Sequence, residues 1–83
     1  MASEYVGLSE SELKSKLTKW RSRKSLAGGD LAVYARRAAM AEQRGNERGL
    51  KTYSAKLTQC KRDIAIASQN IIEVEAELAQ YVG

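Results

Sequence analysis

The chain has 83 residues with no Pro, no His, no Phe, one Cys and a formal net charge of +4. That length predicts one domain with a marginal core, in which oligomerisation or docking supplies missing apolar area. One Cys and no His exclude an intrachain disulfide, a zinc site built from several Cys or His ligands, and the usual nucleophile–base pairs. No catalytic residue, metal ligand or cofactor is therefore expected, and the chain reads as a non-enzyme.

The charge is unevenly divided. All 14 Lys and Arg lie between Lys14 and Arg62, among three acids, while the flanking ends carry seven acids and no base. Such a division points to an anionic partner, or to basic and acidic surfaces meeting in a homo-oligomer. The start, MASEYVGLSESE, lacks the basic-then-apolar pattern of a signal peptide. No apolar run approaches the roughly 20 residues of a membrane span. A cytoplasmic protein without membrane contact is the expectation.

The first predicted helix covers 9–27. Ser9-Glu10-Ser11-Glu12 fits a capping box, and the acids of the first turn suit the helix dipole. Leu13, Leu17 and Trp20 share one face, within about 60° on a wheel turning about 100° per residue. Gly28-Gly29 is the expected stop. Within this helix KSKLTKWRSRK holds six bases in eleven residues. Ser11, Ser15, Thr18 and Ser22 form a ridge opposite the apolar stripe. Lys14 and Arg21 flank that ridge on one side, and Lys16, Lys19 and Arg23 on the other. Lys24 points almost along the apolar stripe, where the core must thin or the lysine must snorkel. Three readings stay open for these rails: a solvated helix flank, a site for an acidic protein, or a site for nucleic acid phosphates. Trp20 belongs to the stripe, so it is not counted as a base-stacking platform.

Asp30 is a candidate N-cap for a middle segment over 31–44, with Leu31, Tyr34, Ala38 and Ala41 at helical spacing. LAVYA by itself also suits a strand. Arg36-Arg37 join the candidate anion contacts. RGNERG over 44–49 marks a loop.

The last segment, 50–81, carries the strongest pattern. Leu50, Tyr53, Leu57, Cys60, Ile64, Ala67, Ile71, Val74, Leu78 and Tyr81 step 3, 4, 3, 4 without an error, which is a heptad seam. Thr52 or Ser54 is an alternative cap. Cys60 reads as a small buried core residue. Ile66, Ile72 and Val82 lie off the seam and widen the apolar face. Glu73, Glu75 and Glu77 point in different directions and read as a solvated acidic face. The fold class is mainly α: a small helical hairpin or three-helix architecture with a long C-terminal heptad helix. The alternative is two antiparallel helices with a β-hairpin between them. The expected packing seam comprises Leu13, Leu17, Trp20, Leu57, Cys60, Ile64, Ile71, Val74 and Leu78.

In its order of features the chain resembles the W family of small head–tail joining proteins from tailed phages. LSESELKSKLTKWRSRKSLAGG stands where that family has its first helix. YSAKLTQCKRDIAIASQNIIEVEAEL stands where it has its second, and GLKTY where it has a second hairpin strand. The likeness covers most of the chain as pattern, without a diagnostic motif. The Ala-rich LAVYARRAAMAEQRG departs from it, reading as helix where the family has strands. The resemblance implies a virion subunit that joins a ring at the portal vertex, docks on the portal, receives tail-proximal proteins and lines a DNA channel. A structural adaptor is thus the expected function, with a homo-oligomer, portal or tail-proximal proteins as partners, and DNA nearby. A basic nucleic-acid-binding helical module and a scaffold coiled coil of a cellular complex are the alternatives.

Overall fold

A computed structural model describes residues 4–81. Two long helices, α1 (Glu10–Gln43) and α2 (Glu47–Leu78), run antiparallel and are followed by a 3-10 turn at Ala79–Tyr81. Among the described residues there is no strand, so the β-hairpin alternative is not supported and the fold is a mainly α helical hairpin. Val82, assigned above to the apolar face, lies outside the described residues.

Helix α1 begins as its sequence dictates. The Ser9 hydroxyl accepts from the Glu12 amide at 3.2 Å, and the Glu12 carboxylate accepts from the Ser9 amide at 3.3 Å. The expected stop at Gly28-Gly29 is corrected: α1 runs through both glycines, and Asp30 is an interior helical residue rather than a cap. Two glycines inside a helix cost roughly 0.5–1 kcal/mol each relative to alanine. The reason the helix continues lies in its partner. Leu13, Leu17, Trp20, Lys24, Ala27, Leu31, Tyr34, Ala38 and Ala41 step 4, 3 without interruption, so one stripe crosses the glycines in phase. A stop at Gly28 would leave the first half of the α2 seam without cover.

The true stop is Gly45, at φ +68°. Its amide donates to the Glu42 carbonyl at 3.1 Å, and the Asn46 amide donates to the Ala41 carbonyl at 2.9 Å. That paired closure, with glycine in the left-handed region, ends a helix and satisfies its last carbonyls. Asn46 then caps α2, its side-chain oxygen accepting from the Gly49 amide at 3.0 Å. The helix therefore starts at Glu47, ahead of the Thr52 or Ser54 caps considered from the sequence.

Packing differs along the hairpin. Tyr34 stacks on Tyr53 with ring centroids 6.2 Å apart, and Leu13 packs with Val74. Both pairs share one antiparallel register, which sets Trp20 level with Ala67 and Ala27 with Cys60. Toward the closed end the buried residues are small: Ala27, Ala38, Ala41 and Cys60. Toward the open end Leu13 and Val74 are fully buried, joined by Tyr5 and packed on by Leu8, Leu17, Trp20 and Leu78.

A segment before α1 straps this open end. The Tyr5 hydroxyl donates to Asn70 Oδ1 at 2.5 Å and accepts from the Trp20 indole N–H at 2.7 Å. The Tyr81 hydroxyl donates to the Leu8 carbonyl at 2.7 Å. Both ends of the described chain are thereby tied to one pole of a rod measuring 56 × 23 × 15 Å.

Candidate functional site

The antiparallel fold converts the charge division of the sequence into a polarity of the molecule. Acids from both flanks of the chain meet at the open pole: Glu4, Glu10 and Glu12 beside Glu73, Glu75 and Glu77. At the closed pole Arg36, Arg37, Arg44, Arg48, Lys51 and Lys56 stand against only Glu42 and Glu47.

This placement changes the standing of KSKLTKWRSRK. Its bases are all exposed, but the stretch lies on the acid-rich half. Lys14 pairs with Glu10 at 3.0 Å and Arg21 with Glu75 at 3.7 Å, so one rail is met by the chain's own carboxylates. On the other rail the Arg23 guanidinium lies 4.8 Å from the centre of the Trp20 ring, a cation–π distance. Lys16, Lys19 and Lys24 form no ion pair among the described residues. Lys24 occupies a seam position and remains exposed. Trp20 packs on the core cluster and spends its N–H on Tyr5, consistent with a core rather than a stacking role.

Ser11, Ser15 and Thr18 line a shallow depression on the outer face of α1 with Ser9, Glu10 and Lys14. Thr18 turns its hydroxyl back to the Lys14 carbonyl at 3.1 Å. The ridge and its rails are thus partly satisfied within the chain.

Bases also gather at the closed pole, where the sequence marks only Arg36 and Arg37 as candidate contacts. Arg37 and Lys56 both approach the Tyr34 ring, at 6.0 and 5.9 Å, so they belong to one cluster across the two helices. Arg36 and Arg37, proposed from the sequence, fall here, away from the other six candidates. The signal for this cluster was present in RGNERG and its flanks, but only the hairpin brings residues 36–37 and 48–56 together.

The nine seam positions differ in burial. Leu13, Cys60 and Val74 are buried, and Leu17, Trp20, Leu57, Ile64, Ile71 and Leu78 are half-buried. The Cys60 thiol is a buried core group. Ile66 and Ile72 are exposed.

A second missed feature is apolar. Leu26, Val33 and Met40 are spaced by sevens along α1, outside the seam, and are 70%, 41% and 43% exposed. Ile66 of α2, 47% exposed, stands across a groove from Leu26. That groove, of about 360 Å³, has Trp20, Ala27 and Cys60 along its floor and Arg23, Asp30 and Asp63 on its rims. It lies on the flank that the Tyr5 strap occupies nearer the open end, since both border Trp20. Farther along, Met40, Ala41 and Tyr53 line a smaller depression with Arg37 and Arg44.

Among the described residues no group of His, Cys, Asp and Glu is placed to hold a metal ion, and no helix is long and apolar enough to cross a membrane. No protein-family model, curated protein or solved structure matches the chain.

Proposed function

We propose that this chain is a non-enzymatic structural adaptor: a rigid helical hairpin that works by docking its flanks on other protein chains. The observation that carries this reading is the surface the hairpin leaves open. The chain exposes 6118 Å², whereas a compact monomer of its 9.2 kDa would expose about 4,900 Å². The excess, about 1,200 Å², is comparable to the roughly 800 Å² that each partner contributes to a standard interface. The radius of gyration of 17.3 Å exceeds the roughly 12 Å of a compact chain this long. A protein of this shape completes its core on a neighbour.

Within that class we place the chain with the head–tail joining subunits of tailed phages, on the resemblance set out above. The antiparallel packing of two helices supports this placement. The helix over residues 31–43, where the W family has its hairpin, counts against it. In this setting the chain is a ring subunit on the portal of a filled capsid. The test is co-sedimentation of the full chain with portal rings or filled, tailless capsids encoded by neighbouring genes. Stoichiometric retention is expected. If the neighbouring genes encode no portal, or the rings retain none of the chain, the virion role is lost.

A second reading rests on the closed pole. Its cluster of Arg and Lys, unpaired among the described residues, suits phosphate contact without sequence readout. Binding to duplex DNA should then fall steeply with salt and be lost on Arg44→Glu with Arg48→Glu. Absence of any gel retardation at low salt removes this reading.

A further inference from the structure

The exposed row on α1 has a charge pattern that selects its occupant. Leu26, Asp30, Val33, Arg37, Met40 and Arg44 step 4, 3, 4, 3, 4, so they form a second heptad stripe beside the first. The apolar members alternate with charges of both signs. Neither Asp30 nor Arg37 has an ion-pair partner among the described residues, and seven residues of helix, roughly 10 Å of rise, separate them. They cannot meet within the chain.

We propose that a second copy of this chain covers the stripe, with the two α1 helices antiparallel and a two-fold axis near Val33. The arrangement deepens the adaptor reading above and rests on it for the claim that the flank is a working surface. A two-fold contact is isologous: if residue i meets j, then j meets i. Centred near Val33, the operation places Leu26 against the partner copy's Met40 and Val33 against its own counterpart. It places Asp30 against the partner copy's Arg37, and Arg37 against its Asp30, so the unpaired acid and base answer one another twice.

Asp63, on the far rim of the groove, has only a Gln59 side chain as hydrogen-bond partner among the described residues, at 2.9 Å. The same operation brings the partner copy's Arg44 toward Arg23 at the end of the overlap, where Asp63 on the rim of the same groove stands between the two bases.

The geometry also fits the strap. Overlap about Val33 covers α1 from roughly Arg23 to Arg44, about 30 Å at 1.5 Å per residue. Tyr5 contacts α1 at Trp20 and the chain then runs back toward Ser9, so the partner ends where the strap begins. The exposed area in excess of a compact monomer is of the size such a contact needs. The product is a four-helix assembly with its two acidic poles at opposite ends.

Sedimentation equilibrium of the full chain at micromolar concentration tests this. The wild type is expected at twice its 9.2 kDa mass. Val33→Glu should give a monomer with an unchanged helical spectrum, since the side chain lies outside the seam. Asp30→Arg and Arg37→Asp should each weaken self-association by about tenfold or more, through like charges meeting across the axis. Mixing the two single variants should restore it, because each then offers the charge the other lacks. Monomeric wild type, dimers indifferent to Val33→Glu, or failure of the mixture to recover overturns the proposal. A monomer that still binds portal rings leaves the adaptor reading standing without this interface. A dimer that binds no other protein leaves the interface standing without the adaptor role.

Discussion

At the open end of the hairpin Leu13 and Val74 are fully buried, and Tyr5 is drawn over them by two side-chain hydrogen bonds. At the closed end the buried residues are Ala38 and Ala41, beside a half-buried tyrosine pair, and the surface is crowded with bases. One end is held by large apolar side chains and by a third segment of chain. The other has small contacts and a glycine closure. A rod of two helices cannot enclose large side chains from every direction, so burial is complete only where the strap adds a third wall. The remaining flank, from Leu26 to Met40, lacks that wall, and its apolar side chains stay exposed.

The largest effect should come from truncating the strapped end. Leu13→Ala removes a fully buried side chain and should cost roughly 2–5 kcal/mol, read as a fall in the urea midpoint. At the closed end the danger is reversed. Ala38→Leu forces the helices apart and should cost roughly 1–3 kcal/mol. Equal sensitivity of both ends to truncation would erase the contrast.

Next in size is the strap itself. Tyr5→Phe deletes the acceptor for the Trp20 N–H and the donor to Asn70, and should cost roughly 1–3 kcal/mol. Burial raises the Tyr5 phenol above its ordinary value of 10.0, a hydrogen bond with Glu4 and the charges of Glu4 and Glu73 raise it further, and the Trp20 N–H opposes them. The unfolded chain therefore releases this proton first. The stabilisation is whole below about pH 10 and is lost as pH climbs through the folded value. The stability gap between wild type and Tyr5→Phe should narrow above that pH, and a gap that widens would contradict the assignment.

The glycines give the finest comparison. Gly28 and Gly29 have open space where a Cβ would stand, and neither has a positive φ. Gly28→Ala and Gly29→Ala should each stabilise the hairpin by roughly 0.5–1 kcal/mol. Gly45→Ala meets φ +68° and should destabilise by roughly 1–2 kcal/mol. If α1 stopped at Gly28-Gly29, the signs at those positions would be reversed, so thermal melts of the three variants check the helix boundary directly.

Much of this fold is legible before any coordinates. The Ser9 capping box, the break at Gly45-Asn46 and the α2 seam are local or periodic signals, each readable within a few turns of helix. The continuity of α1 is harder to see, because Gly28-Gly29 is a strong local stop and Lys24 occupies the seam position that links the two halves. Phase decides it: Trp20, Ala27 and Leu31 keep the stripe in step. The strap could not be read, since Tyr5 and Asn70 are 65 residues apart and share no period. The candidate anion surface was only half visible for a similar reason. The density of KSKLTKWRSRK is local, whereas the acids that answer Lys14 and Arg21, and the pole that gathers Arg37, Arg44 and Lys56, depend on the register of two helices. Val33 and Met40 were hidden in an Ala-rich run whose inner face is the conspicuous one.

The hairpin is proposed to be an incomplete unit whose open flank is covered by a second copy of this chain. Sedimentation equilibrium of the full wild-type chain, measured across the micromolar range, tests it most directly. A species of twice the 9.2 kDa monomer mass, dissociating on dilution, is expected. A single monomeric species throughout, cooperatively folded and without added partner, would contradict it.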